Sequence, residues 1–228
     1  MKLNTTVRRA AIAALFTFAT LAATPTLAQT VVFDNGNPDL LASYFSDPGT
    51  PQFMADDFTF AATTTFDTVQ WYGVYAGSDN APSVPDQFSI SFFNIAFGTP
   101  NSLPRTGETF SVGAPARVDT GTFEGGFNVY RYQATLSSPI TMVAGAYGIQ
   151  IANNTVADTD DNWAWATANQ AGSLFFRTSQ AGGFTALSGN LAFQLSNSAP
   201  VVVPEAGTLA LVGAGLAAFG AVVVRRRK

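Results

Sequence analysis

The sequence predicts an all-β protein: a single antiparallel β-sandwich of jelly-roll type, set between two apolar end segments. Three observations carry that expectation. Between Thr30 and Ser198, short runs rich in aromatic and β-branched residues alternate in polarity with a period of two. Clusters of Asn, Asp, Gly and Pro separate them: "DNGNPD" (34–39), "AGSDNAPSVPD" (76–86), "GTPNSLPRTGE" (98–108) and "NNTVADTDD" (153–161). Twenty phenylalanines supply a core, and the absence of cysteine means that no disulfide can staple it.

The first 28 residues have a different chemistry. Lys2, Arg8 and Arg9 precede an apolar run from Ala10 to Ala23 that only threonines interrupt. Thr26 and Ala28 then place small residues three and one positions before a cut between Ala28 and Gln29. This is the layout of a secretory signal peptide, to be removed by signal peptidase. About 14 apolar residues fall short of the roughly 20 that span a bilayer.

The domain expected over 29–198 begins with "PDLLASYF" (38–45), the one segment with a short helix in reach. Strands are expected at "FMADDFTF" (53–60), "TFDTVQWYGVYAG" (65–77), "QFSISFFNIAF" (87–97), "FNVYRYQATL" (127–136) and "ITMVAGAYGIQIA" (140–152). Three more follow at "NWAWATA" (162–168), "SLFFRTS" (173–179) and "LAFQLS" (191–196). Phe88, Ile90 and Phe92 share one face, Tyr130, Tyr132, Ala134 and Leu136 another, and Tyr147, Ile149 and Ile151 a third. A sandwich of about nine to eleven strands accommodates these. No fixed-period repeat points to a solenoid or propeller.

Charge and residue usage exclude several functions. From Gln29 to Val203 four cations (Arg105, Arg117, Arg131, Arg177) face fourteen carboxylates, a net charge of −10. Such a surface repels nucleic acid and anionic lipid. Histidine and cysteine are both absent, which removes Ser-His-Asp and Cys-His catalysis and any histidine-ligated zinc or iron. No G-x-S-x-G turn occurs. The expectation is a non-enzymatic protein with a structural or adhesive role. The alternatives are a carbohydrate-binding module, with or without calcium, and a secreted glycoside hydrolase working through two carboxylates.

Three constellations are candidates for sites. Asp56 and Asp57 are neighbours in a strand, point to opposite faces and so cannot form a facing acid/base pair; one is expected at the sheet surface, the other capping a turn or binding a cation. Asp158, Asp160 and Asp161, with Asn162, form the densest oxygen cluster and suit calcium, although position 169 is Asn where an EF-hand loop would want glutamate. "DNGNPD" offers a second cluster through Asp34, Asn37 and Asp39. Trp71, Tyr72, Trp163 and Trp165 make either a core or an aromatic platform for sugar rings, depending on which face they occupy; core packing is the expected reading.

The tail, residues 199–228, carries the most specific pattern. Val203-Pro204-Glu205 precedes an uncharged span over 206–224, about 28 Å of helix at 1.5 Å per residue and close to the thickness of a bilayer. Arg225, Arg226, Arg227 and Lys228 follow as a cytoplasmic stop-transfer cluster. Proline keeps the segment ahead of the span extended, and Glu205 resists entry into lipid. Short motif, span and terminal basic cluster, in that order, resemble the PEP-CTERM sorting signal, a tail also labelled the ice-binding protein C-terminal domain. Ala206 stands where the family motif has a second proline. The resemblance implies an exosortase that cuts near Pro204-Glu205. It also implies a protein exported across the inner membrane, held there by its tail, then placed at the envelope, the surface or outside, near extracellular polysaccharide. No regular threonine array accompanies "TTT" (63–65) and "TGT" (120–122), so the ice-binding label describes the tail alone. The body's "ADDFTF", "VQWYGVY", "VYRYQATL", "GAYGIQI" and "WAW" resemble a sandwich domain of exported proteins with the same tail. In that domain a tryptophan stands at the position of Gly148, which implies that one inward aromatic is missing here.

Overall fold

The computed structural model describes residues 29–77, 85–157 and 161–198; the segments expected as a signal peptide (1–28) and a sorting tail (199–228) lie outside them. The described residues form strands only: β1 (Thr30–Asp34), β2 (Pro38–Phe45), β3 (Phe53–Phe60), β4 (Thr64–Ala76), β5 (Phe88–Ala96), β6 (Thr99–Pro100), β7 (Thr109–Gly113), β8 (Arg117–Glu124), β9 (Phe127–Met142), β10 (Gly145–Asn153), β11 (Asn162–Ala168), β12 (Ser173–Arg177), β13 (Thr185–Ser188) and β14 (Phe193–Asn197). They make two curled antiparallel sheets. Among the described residues no helix is long and apolar enough to cross a membrane.

The first sheet is organised by β4. One edge of this strand pairs with β9, which carries β8 beyond it. The other edge takes two neighbours end to end: Thr68–Trp71 pair with β14, which carries β1, and Gly73–Ala76 pair with β11, which carries β2. Ala192 fills the fork between them. Its carbonyl accepts from Tyr72 N at 3.3 Å and from Trp165 Nε1 at 3.0 Å, while its N–H donates to Ala166 O at 2.9 Å. The second sheet runs β13-β12-β3-β10-β5, with β7 and β6 on the outer edge of β5.

One apolar core lies between the sheets. The three faces expected from alternation all point into it, joined by Trp71, Trp163, Trp165, Phe58 and Phe193. Trp71 stacks on Tyr132 with ring centroids 5.6 Å apart, and Phe88 meets Trp163 edge-on at 5.0 Å, arrangements that aromatic quadrupoles favour.

Buried carboxylates tie the two sheets together at two places. Asp47, at the corner between β2 and β3, accepts from Gly49 N (2.8 Å), Trp163 N (3.1 Å) and Thr155 Oγ1. Asp56 of β3 accepts from Asn35 Nδ2 (2.9 Å) and Leu191 N, both beside strands of the opposite sheet. Leaving such a buried donor or acceptor without its partner costs about 1–3 kcal/mol.

Several expectations change. "PDLLASYF" is strand β2, not a helix: Ser43, Tyr44 and Phe45 pair with Ala166, Trp165 and Ala164, and Leu40 sits at φ 62°, outside helical geometry. Two strands occupy 127–153 as expected, but the break falls at 143–144 and not at 137–139, so β9 runs through to Met142. Among the described residues fourteen strands replace nine to eleven; the runs read from sequence lack β1, β6, β7, β8 and β13, of which β8 and β13 are exposed on nearly every residue and show no apolar alternation. Position 148 is not an inward aromatic site. Tyr147 and Ile149 face the core, and Gly148 faces outward beneath Pro100, whose side chain would stand 3.1 Å from an added Cβ.

Gly73 is the tightest point of the core. A Cβ there would meet Trp163 Nε1 at 2.5 Å and Ala164 O at 2.6 Å. Gly73→Ala is expected to destabilise the fold by about 2–3 kcal/mol or more through overpacking, read as a lower urea midpoint. Gly183→Ala, with nothing within 4 Å of the added Cβ, should shift stability by less than about 0.5 kcal/mol.

Candidate functional site

The first sheet curls far enough for its outer strands β2 and β8 to approach each other across its outer face. Beneath them lies a second apolar cluster of Val74, Val129 and Ala164, flanked by Phe45, Tyr72 and Phe127. Glu124 is buried where β8 meets Ser43 of β2, and that burial holds its carboxyl above the usual carboxylate range. A groove of about 440 Å³ opens beside Tyr72.

Tyr72 and Arg131 form its floor, paired directly across β4 and β9. The Tyr72 ring is half-buried and its hydroxyl is held at both ends, donating to Asn37 Oδ1 (3.4 Å) and accepting from Gln70 Nε2 (3.1 Å). Burial raises the hydroxyl pKa, against the opposing pull of Arg131. Leu40 forms one wall and Val118 to Thr122 the other. Both walls are irregular strand. Leu40 has a left-handed backbone, and the pairing of β8 with β9 slips between Asp119 and Phe123. There Asp119 Oδ1 accepts from Gly121 N at 2.8 Å and Thr120 Oγ1 donates to Val129 O at 2.7 Å. Such bulges re-aim side chains and are over-represented beside functional sites.

Arg131 differs from the other three cations of the domain. Arg105 pairs with Glu108 at 2.6 Å, the only ion pair among the described residues. Arg117 lies over the rings of Tyr130 and Tyr75 at 4.8 and 5.3 Å. Arg177 is buried, donating to Gln150 Oε1 (2.9 Å), Ser102 O (2.8 Å) and Gln180 Oε1 (3.1 Å), and burial lowers its pKa to about 10. Arg131 is exposed at the groove with no ion pair to another described residue.

Of the residues singled out from sequence, Tyr72 and Asn37 line this groove and the others fall elsewhere. Trp71, Trp163 and Trp165 are fully buried in the core, the expected reading of the two; they offer no face to a sugar ring, and the alternative of a glycan platform at these residues falls. Asp56, expected at a surface or a turn, points into the protein with Met54 and Phe58, while Asp57 is half-buried. Asp34 and Asp39 accept from Gly36 N and Leu41 N at 2.9 Å each, and also from Gln194 Nε2 (3.1 Å) and Thr167 Oγ1 (2.6 Å) of neighbouring strands. Asn37 turns away to Tyr72. Asp161 is buried at the start of β11; Asp158 and Asp160 lie outside the described residues, among which no group of three or more acidic side chains is placed to hold a metal ion. Gln29 is exposed one residue before β1. Ala28, Val203, Pro204, Glu205 and the cluster Arg225, Arg226, Arg227 and Lys228 lie outside the described residues. Sequence reasoning passed over Asp47, Leu40 and Arg131; Asp47 alone had a local signal, the turn sequence Asp47-Pro48-Gly49.

The chain is thus a two-sheet β protein followed by a tail of separate character. Residues 202–228 match the PEP-CTERM protein-sorting motif. That motif implies export and sorting to the surface or a membrane-associated position. Neither a curated protein nor a solved structure matches the chain.

Burial holds the Asp56 carboxyl well above the usual range, outweighing the hydrogen bonds from Leu191 N, Asp57 N and Asn35. The folded state therefore keeps this proton to higher pH than the unfolded state does. Its contribution to stability is complete below the unfolded value near 4 and is lost as pH rises through the folded pKa. Stability measured by urea unfolding should fall from about pH 4 upward. In Asp56→Asn the slope should be shallower, and some slope persists because half-burial raises Asp57 in the same sense. Equal slopes in the two proteins would mean that Asp56 ionises as readily folded as unfolded.

Proposed function

We propose that this chain is an exported, non-enzymatic envelope protein, delivered by its C-terminal motif to an exosortase-type enzyme that cuts near Pro204-Glu205. The observation that carries the reading is the PEP-CTERM match over 202–228. In this reading residues 1–28 are a signal peptide removed by signal peptidase, and residues 206–224 are a helix that holds the protein in the inner membrane until cleavage. The body is then released to, or re-anchored at, the envelope or extracellular matrix, in a structural or adhesive role. The absence of histidine and cysteine supports a role without catalysis.

The architecture suits that delivery. The chain changes sheets eight times among the described strands, at β2–β3, β3–β4, β4–β5, β7–β8, β9–β10, β10–β11, β11–β12 and β13–β14, and on this alternation we read the sandwich as jelly-roll-like. Thr30 pairs with Asn197, so both ends of the domain leave from the same end of the β1–β14 pair. Asp67 accepts from Ser198 N at 2.9 Å and also from Ser198 Oγ.

The test is the intact mass of the native protein from its own host, compared between membrane, outer-surface and medium fractions. The expected species begins at Gln29, ends near Pro204 or Glu205 and lies outside the inner membrane. Pro204→Ala combined with Glu205→Ala should instead accumulate a species that still carries Arg225 to Lys228. A native protein found only uncleaved in the inner membrane would overturn the sorting reading.

A further inference from the structure

We propose that the groove over Tyr72 and Arg131 binds an uncharged saccharide ring, stacked on Tyr72 and hydrogen-bonded through Arg131, Asp119 and Asn37. This stands apart from the sorting reading, since a chain that is never cleaved carries the same groove.

The ring of Tyr72 is fixed by hydroxyl contacts to Asn37 and Gln70 and only half-covered. A rigid aromatic side chain of this kind combines apolar contact area with a polar end. A pyranose presents the complement, a C–H face bordered by hydroxyls that each donate and accept. Around the ring the groove places a guanidinium with no ion pair (Arg131), a carboxylate (Asp119), an amide (Asn37) and the hydroxyls of Thr120 and Thr122. Donors and acceptors are thus mixed, as vicinal hydroxyls require. The cavity of about 440 Å³ falls within the range of small-molecule sites.

Two other occupants fit less well. An extended peptide adding to the sheet would need a straight free edge, and both walls are irregular, at Leu40 and between Asp119 and Phe123. A polyanionic chain would meet Asp119 and a domain of net charge −10. An uncharged saccharide meets neither obstacle.

The experiment is native affinity electrophoresis of the full chain in detergent, through gels containing dextran, mixed-linkage β-glucan, galactomannan or xylan, with alginate as the polyanion. At least one neutral polysaccharide should retard the protein, and alginate should not. Tyr72→Ala and Arg131→Ala should each weaken retardation about tenfold or more, with Tyr72→Phe within about threefold of the parent because the stacking face is kept. Arg131 is exposed, so Arg131→Ala reports on the site even if Tyr72→Ala fails to fold; near-ultraviolet circular dichroism verifies both. Retardation by alginate alone, by none of the polysaccharides, or undiminished in folded Arg131→Ala overturns the proposal.

Discussion

Two buried carboxylates bear on everything else in this fold. With no disulfide available, the sheets are joined by apolar contact, which has little directional preference, and by hydrogen bonds that have a great deal. Asp47 gathers the corner after β2, the loop after β10 and the start of β11. Asp56 reaches across to Asn35 and Leu191, the residues that set the start of β14 against the end of β1. Each fixes the relative position of strands that the aromatic core alone would hold less specifically. The fork at Ala192 depends on this, and so does the placement of Tyr72 immediately beside it.

The inward faces were legible in the sequence because alternation is a local property. Phe88, Ile90 and Phe92 announce their face without reference to any other strand. The same logic failed where burial was not one-sided. β8 is exposed along nearly all its length and was passed over, while β2 read as a helix because "LLASYF" is apolar without being alternating. The site was harder still. Tyr72 was visible as an aromatic, but it came grouped with Trp71, its sequence neighbour, which points the opposite way. Arg131 became notable only when the other three arginines proved committed to Glu108, to aromatic rings or to buried carbonyls. A left-handed backbone at Leu40 has no sequence signature, since leucine rarely adopts it.

Tail and body divide the problem of function between them. The tail is an address whose meaning lies in the order of three chemical segments, and its motif is specific enough to stand without the fold. The body is acidic, with a net charge of −10 over residues 29–203, which disfavours contact with anionic polymers. The groove over Tyr72 and Arg131 combines one aromatic ring with mixed donors and acceptors.

The tandem pairing along β4 also constrains the order of assembly. One edge of that strand is completed only when β11 and β14 both arrive, and β1, the first strand of the domain, has no partner but β14, the last. Pairings this distant along the chain close slowly, because loop-closure entropy must be overcome before the contacts form. In an N-to-C order of folding the first sheet is therefore finished only when Asn197 is available, a few residues ahead of the motif at 202–228.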